Sequence, residues 1–259
     1  MPGVPSQEEE IGSAYFHTCQ KERIPAVTVN IVGKVDDRVR IRHALVSVSD
    51  KKGLDLLVQD LLAILPDLKI FSTGGTFSRI HEILGPRATG SLVQVSEYTG
   101  QPETQGGLVK TLDFKIYLGL LTETYNVDHQ QDLRRTASVP LDLVVVNLYP
   151  FRQTIEQQGV TVENARANID IGGPCMIRAA AKNYLRVAVL VDPNDYEPFL
   201  SSLRKNQGST RIEDRFKMAE KAFEHTAVYD RTIADYLGKV RFPEASRCYS
   251  LQPDSGGDR

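Results

Sequence analysis

The sequence has few cysteines and no long apolar run, and each absence excludes a class of protein. Its three cysteines, Cys19, Cys175 and Cys248, are too few and too scattered for a disulfide framework or a zinc-finger spacing, so we expect free thiols in a reducing compartment. No apolar run approaches the roughly 20 residues that a membrane-spanning helix needs. Three consecutive glutamates beginning at Glu8 stand where a secretory signal would be basic. We therefore expect a cytoplasmic protein without a membrane partner.

The chain also lacks a strong charge of either sign. A net charge of −2 over 259 residues gives no basic field to hold a polyanion, so we expect no nucleic-acid partner. The five histidines show no metal-ligand spacing, and we expect no bound metal. The composition, 41% hydrophobic and 25% charged, is ordinary for a globular protein with a sizeable core.

From His43 onward, apolar runs alternate with helical patterns. The runs predicted as strands cover residues 44–48, 68–71, 92–95, 141–148 and 187–191. The stretches with apolar residues at helical spacing cover residues 54–65, 76–84 and 211–240. Because strands that alternate with helices favour parallel pairing, we predict an α/β fold: a doubly wound, mostly parallel sheet with helices on both faces, followed by C-terminal helices.

The sequence pattern divides the chain into three parts. Residues 1–40 are predicted to be an N-terminal extension, residues 41–240 one folded domain and residues 241–259 a C-terminal tail. An apolar run at 26–32 is typical of an added edge strand or of a mobile arm. In the long C-terminal helix we expect one apolar side to pack over the sheet, formed by Phe216, Ala219, Phe223, Ala227, Ile233 and Leu237.

Two predicted strand-to-helix junctions carry residues suited to an anion. Ser49 and Lys51 follow the strand at 44–48, and two glycines between two threonines, at 73–76, follow the strand at 68–71. The amide groups at a helix N-terminus lack internal partners and bind anions readily, although a simple helix cap explains the first junction as well when it is taken alone. Because ligands of parallel sheets gather outside the carboxyl ends of strands, we predict that both junctions face one crevice and bind a phosphorylated small molecule.

Four further residues stand at or near a predicted strand end or helix end: Lys110, Tyr149, Asp170 and Lys182. Taken one at a time, they are explained better as a solvated lysine, a strand-end tyrosine, a helix-capping aspartate and a helix-terminal lysine. Spacing alone does not show that they meet. What distinguishes these four residues is the sequence of the segments around them, which cover residues 109–111, 147–151, 170–173 and 178–183.

Together with the junctions at 47–51 and 72–76, these segments resemble, in order and context, those of the inosine monophosphate (IMP) cyclohydrolase family. The resemblance runs from about His43 to about Leu237. In this family the cyclohydrolase is one domain of a bifunctional purine-synthesis enzyme that also carries an AICAR transformylase. Since the chain ends at Arg259, we expect the cyclohydrolase alone.

The resemblance implies a methylglyoxal synthase-like fold, a homodimer and a purine nucleotide as substrate and product. The implied reaction closes the ring of 5-formamidoimidazole-4-carboxamide ribonucleotide to IMP with loss of water and without a cofactor. Formally the enzyme is a hydrolase of a cyclic amidine, run in the ring-closing direction.

The resemblance also assigns residues to this reaction. It gives Lys182 and Asp170 to the amide and proton transfer, Lys110 to oxyanion or substrate stabilisation, and Tyr149 to hydrogen bonding, with these roles interchangeable. The resemblance assigns phosphate binding to Ser49, Lys51, Thr73, Gly75 and Thr76. The other substrate-binding residues that it implies are Thr111, Asn147, Ile171 and Gly172.

One loop departs from the family pattern. Leu108 stands where the family has an arginine, and Asp113 and Tyr117 stand where it has histidines. Each lost charged contact is worth about 1.5–3 kcal/mol, and Asp113 is expected to repel an electron-rich substrate. A catalytically impaired purine-nucleotide-binding regulator is therefore the alternative to an active enzyme. Methylglyoxal synthase and the regulatory domain of carbamoyl phosphate synthetase share the glycine-rich loop, but neither fits the later motifs.

Overall fold

The computed structural model describes residues 30–101 and 110–252, and its main compact unit begins at Lys34. The strands in the described residues are β1 (Arg38–Arg40), β2 (His43–Val48), β3 (Lys69–Ser72), β4 (Leu92–Gln94), β5 (Leu143–Asn147), β6 (Ala188–Leu190) and β7 (Ser209–Arg211). The α-helices are α1 (Leu54–Ile64), α2 (Gly74–Leu84), α3 (Val95–Thr99), α4 (Phe114–Leu121), α5 (Val127–Arg135), α6 (Phe151–Ile155), α7 (Val162–Ala167), α8 (Gly172–Lys182), α9 (Tyr196–Lys205), α10 (Ile212–Lys239) and α11 (Phe242–Ser246). Two short 3₁₀ helices lie at Gly85–Ala88 and Pro193–Asp195.

Five parallel strands form the central sheet in the order β4-β3-β2-β5-β6. Val46 of β2 pairs with Ser72 of β3 on one side and with Val145 of β5 on the other. The chain runs outward from β2 through β3 to β4, then returns to the other side of β2 with β5 and β6. The predicted α/β fold with a doubly wound parallel sheet is confirmed, and its topological switch point lies between β2 and β5.

Both faces of this sheet are covered by helices. Ala44, Val46 and Val48 of β2 point into a core shared with α1, α2 and α9. Leu45, between them, points into the opposite core, which α4, α8 and α10 complete. Continuous apolar strands are what a sheet buried on both faces requires, and this is why the strands were readily predicted. None of the helices in the described residues is long and apolar enough to cross a membrane.

A second, two-stranded antiparallel sheet joins β1 to β7, and the sequence did not predict it. The guanidinium of Arg215, which is 0% exposed, holds this region together. It donates hydrogen bonds to the carbonyls of Thr210 (2.6 Å), Tyr184 (2.9 Å) and Leu185 (3.0 Å). β1 lies in the segment assigned to the N-terminal extension. Of the apolar run at 26–32, residues 26–29 lie outside the described residues and 30–32 form no strand.

The predicted C-terminal helix is confirmed as α10, but its predicted buried side is wrong by about one residue. The buried side chains are Arg215, Ala219, Ala222 and Thr226, whereas Phe216, Phe223 and Leu237 are exposed. For Ala219, Ala222 and Thr226 the physical reason is size, because α10 approaches α8 and β6 closely and small side chains fit there. Arg215 is buried because its guanidinium is hydrogen-bonded to backbone carbonyls. A prediction based on the large apolar residues therefore placed the wrong side of this helix against the sheet.

Candidate active site

A cleft of about 410 Å³ lies at the carboxyl edge of the sheet, across the ends of β3, β2 and β5. This volume is within the range of small-molecule sites. All predicted site residues except Lys182 line it: Ser49, Lys51, Thr73, Gly75, Thr76, Lys110, Thr111, Asn147, Tyr149, Asp170, Ile171 and Gly172. In the described residues, no group of three or more His, Cys, Asp or Glu side chains is placed to hold a metal ion.

Asn147, the last residue of β5, clamps the junction between β2 and α1. Its Oδ1 accepts hydrogen bonds from the backbone N–H groups of Ser49 (2.6 Å) and Asp50 (2.9 Å), and its Nδ2 donates to the Asp50 carbonyl (2.9 Å). These three bonds join the ends of β2 and β5 at the topological switch point. Asn147 therefore shapes the loop that forms one wall of the cleft.

Lys51 and Thr76 fasten the same loop to α2. The Thr76 hydroxyl donates to the Val48 carbonyl (3.0 Å) and accepts from the Val48 N–H (3.1 Å). Lys51 Nζ donates to the Val48 carbonyl and to Thr76 Oγ1 (3.3 Å), and burial lowers the pKa of its ammonium group. The single hydroxyl proton of Thr76 is donated to the Val48 carbonyl. Thr76 therefore shapes the loop between β2 and α1 through its two hydrogen bonds to Val48.

The first turn of α2 is open to an anion. Gly74 and Gly75 open this helix, so their amide groups have no carbonyl one turn back to bond with. Gly74 has φ +50°, and a Cβ there would lie 3.2 Å from Lys110 Nζ. The left-handed backbone favours glycine at 74, and the absence of a side chain there leaves room for the end of Lys110. Two helix amides and an ammonium group thus meet at one end of the cleft.

Asp170 lies at the other end of the cleft, before α8. Its Oδ1 accepts a hydrogen bond from the Gly173 N–H (2.8 Å), and the backbone N–H of Tyr149 also donates to the carboxylate. Burial raises the pKa of Asp170 above its ordinary value in spite of these two donors. The Tyr149 side chain is 51% exposed beside it. This half-buried carboxylate is suited to proton transfer.

Tyr229 of α10 supports this end of the cleft, and sequence reasoning missed it. Its hydroxyl accepts a hydrogen bond from the Asp170 N–H (2.9 Å) across 59 positions of sequence. Its ring meets the ring of Phe151 edge-on, with centroids 6.3 Å apart. Its place on a long amphipathic helix gave no signal, because a tyrosine there is normally part of the packing.

The two ends of the cleft are separated by about the length of a small nucleotide. Neighbouring strands are about 4.8 Å apart, so the ends of β3 and β5 lie roughly 10 Å from each other. Gly74 and Gly75, after β3, and the Asp170 carboxylate, beside the end of β5, therefore lie at opposite ends of a bound molecule. The arrangement can hold an anionic group at one end and exchange protons at the other.

Two family models match the sequence. The model of the AICARFT/IMPCHase bienzyme matches residues 180–254, and the MGS-like domain matches residues 53–175. Among solved structures, the crystal structure of ForH has a TM-score of 0.66 and 30% sequence identity, covering 76% of this chain and 97% of that one. The chain belongs to the AICARFT/IMPCHase family. The MGS-like match, residues 53–175, contains β3, β4 and β5 of its sheet.

Curated relatives are bifunctional purine biosynthesis proteins PurH. The protein of Prochlorococcus marinus (strain MIT 9211) is 48% identical over 82% of this chain and 39% of its own length. Those of Thermoanaerobacter sp. (strain X514) and Bacillus subtilis (strain 168) are 46% and 45% identical over 78% and 77% of this chain, and 39% and 38% of their own lengths. The chain thus spans about two fifths of the relatives that it matches.

Lys182, in the AICARFT/IMPCHase motif that ends α8, does not lie in the cleft. It is exposed at the last position of the helix, whereas Gly172 at the first position lines the cleft. The ten residue steps from Gly172 to Lys182 correspond to about 15 Å of helix. The described residues therefore place Lys182 away from Asp170, with which it was assigned to the amide and proton transfer.

The loop that departs from the AICARFT/IMPCHase pattern contributes less to the cleft than expected. Asp113 is buried as the N-cap of α4 and accepts a hydrogen bond from the Lys115 N–H (2.8 Å). Tyr117 packs in the core beside α8, and burial raises the pKa of its hydroxyl. Neither lines the cleft, so the expected repulsion by Asp113 is corrected; Leu108 lies outside the described residues.

Proposed function

We propose that the chain is an IMP cyclohydrolase of purine synthesis. It would close the ring of 5-formamidoimidazole-4-carboxamide ribonucleotide, releasing IMP and water. The observation that carries this proposal is one cleft with the first amides of α2 at one end and, at the other, the half-buried Asp170 carboxylate, whose pKa is raised by burial. The purine biosynthesis relatives support the same conclusion.

The phosphate binds at the β2 and β3 ends. The amides of Gly74 and Gly75 donate to its oxygens, and the side chain of Ser49 lines the same wall of the cleft. Lys51 and Lys110 supply positive charge to the substrate. These contacts are the same before and during ring closure, so they contribute to binding more than to rate.

The reacting ring lies beside Tyr149 and Asp170. The carboxamide nitrogen forms a bond to the formyl carbon and loses one proton, and the formamide nitrogen loses a second. The formyl oxygen takes up both protons, its bond to the formyl carbon breaks, and it leaves as water. Asp170 accepts a proton from the carboxamide nitrogen, and its raised pKa makes the acid form available to pass that proton on. The Tyr149 hydroxyl and the amide of Gly172, the first residue of α8, stabilise the negative charge on the formyl oxygen.

Rigid support of this end provides the remaining acceleration. The reaction is intramolecular, so holding the carboxamide against the formyl group removes much of the entropic barrier. The Gly173 and Tyr149 amides fix the Asp170 carboxylate, and bulky side chains are excluded at two glycines. A Cβ would lie 2.7 Å from Thr111 Oγ1 at Gly172 and 2.6 Å from Asp170 Oδ2 at Gly173.

We also propose a homodimer that acts in the cytoplasm. Phe216, Phe223 and Leu237 lie on α10 with 56%, 40% and 49% of their surface exposed, and exposed apolar groups of this kind mark interaction surfaces. Sedimentation at micromolar concentration tests this directly, and a monomer there contradicts it.

Ring closure by the purified chain tests the function. The formyl nucleotide is mixed with protein, and the appearance of hypoxanthine absorbance is compared with the spontaneous rate and with Asp170→Asn. We expect turnover that Asp170→Asn reduces by about 100-fold or more, with IMP affinity kept within a few-fold. IMP binding without turnover would support the nucleotide-binding regulator instead.

A further inference from the structure

Tyr229 makes a direct hydrogen bond to the backbone of the residue that we assign to proton transfer. Its hydroxyl oxygen accepts from the Asp170 N–H at 2.9 Å. The carboxylate of Asp170 is held separately, by the amides of Gly173 and Tyr149. Backbone and side chain of Asp170 are thus fixed from two different directions.

The position of Tyr229 is itself fixed by packing. It lies on α10, whose close packing against α8 and β6 sets its height above the sheet. Its ring meets the ring of Phe151, the first residue of α6, which lies two positions after Tyr149. Burial raises the pKa of its hydroxyl, so the group stays protonated and neutral at physiological pH. It therefore serves as a stable acceptor for the amide.

We infer that Tyr229 is a positioning residue for ring closure, setting the place of Asp170 through the backbone N–H of that residue. The inference rests on the proposed function. Without the hydroxyl, the short segment before α8 loses its only tie to α10 among the hydrogen bonds of the described residues, and the carboxylate shifts relative to the bound ring. Small displacements of a catalytic group lower the rate more than the affinity.

The chain offers a matched control on the same helix. Tyr236 also meets the Phe151 ring edge-on, with centroids 5.8 Å apart, and neither tyrosine lines the cleft. The difference is the hydrogen bond to the Asp170 N–H, which Tyr229 makes and Tyr236 does not. Tyr229→Phe and Tyr236→Phe each remove one hydroxyl and leave the ring. A loss of rate that reflects packing on Phe151 would appear in both variants, whereas a loss through Asp170 would appear only in the first.

Two measurements on the full chain test the inference. In the ring-closure assay we expect Tyr229→Phe to lower kcat about tenfold with KM unchanged, and Tyr236→Phe to match the wild type. By amide hydrogen exchange we expect Tyr229→Phe to expose the Asp170 amide about tenfold or more faster, again without an effect of Tyr236→Phe.

The two measurements separate this inference from the proposed function. Equal kcat for the two variants, or unchanged exchange of the Asp170 amide in Tyr229→Phe, overturns the positioning role. A wild-type chain without ring closure removes the proposed function and, with it, the positioning role in that reaction; the exchange data would then still establish whether Tyr229 fixes Asp170.

Discussion

Replacing Gly173 by alanine would place a methyl group against the carboxylate that we assign to proton transfer. An added Cβ would lie 2.6 Å from Asp170 Oδ2, 2.9 Å from Asp170 Cγ and 2.6 Å from Leu148 Cδ2. Ordinary contacts begin at 3.4 Å, so Asp170 and Leu148 both have to move away from the added Cβ by most of an ångström, or the start of α8 has to shift. Leu148 is buried in the core, and the carboxylate is therefore the group that shifts more easily.

The expected magnitudes separate activity from stability. Overpacking of this kind costs about 1–3 kcal/mol, and alanine returns up to about 1 kcal/mol of helix propensity. The net loss of up to about 3 kcal/mol lowers Tm by no more than about 12 °C in a protein of this size. A displacement of about 1 Å at a reacting group lowers kcat by about 100-fold, so Gly173→Ala should lose far more activity than stability.

Gly238→Ala is the matched control. Gly238 also lies in a helix, and an added Cβ there meets nothing within 4 Å. We expect an unchanged or slightly raised Tm and wild-type ring closure. Thermal unfolding and the absorbance assay on both variants decide the matter. Wild-type kcat in Gly173→Ala would refute the assignment of Asp170.

Three further predictions concern the ends of the cleft and its altered loop. In calorimetry, Lys51→Ala should weaken the binding of IMP about tenfold and leave the binding of inosine unchanged. The control Lys52→Ala, at the exposed neighbour, should change the affinity for neither ligand. Equal losses of affinity for both ligands in Lys51→Ala would contradict phosphate binding at Lys51. Because burial raises the pKa of Asp170, the carboxylate becomes protonated as the pH falls through a value above the ordinary 3.8, and kcat/KM should decline there. Asp170→Asn should show no such decline. If the variant keeps the decline at low pH, another group is responsible for it. Asp113→Ala should lower Tm by about 2–4 °C through the loss of a helix cap and leave kcat unchanged, and a large loss of kcat would return Asp113 to the site.

The fold was predictable where burial dictated the sequence. Strands buried on both faces are apolar throughout, so β2 to β6 were visible as runs. Helical spacing predicted α1, α2 and α10, whereas the shorter helices between β4 and β7 were not predicted. The two-stranded sheet of β1 and β7 was not, because its residues are mostly polar. Its stability comes from Arg215, whose partners are backbone carbonyls that carry no sequence signal.

The candidate site was predictable as a set of segments, and less so as individual contacts. Strand-end glycines and polar residues gather at one sheet edge by topology, which brought Gly75, Asn147 and Asp170 to one cleft. A motif does not say at which end of a helix each residue lies, and so Lys182 was expected in the cleft. Tyr229 was missed because its contact spans 59 positions and uses a backbone donor.

A crystal structure of the chain with IMP tests the account most directly. We predict one nucleotide in the cleft, with its phosphate on the amides of Gly74 and Gly75 and its six-membered ring beside Tyr149 and Asp170. The Asp170 carboxylate should lie within hydrogen-bond distance of the ring nitrogen that came from the carboxamide. A nucleotide bound in the opposite direction, or outside this cleft, would contradict it.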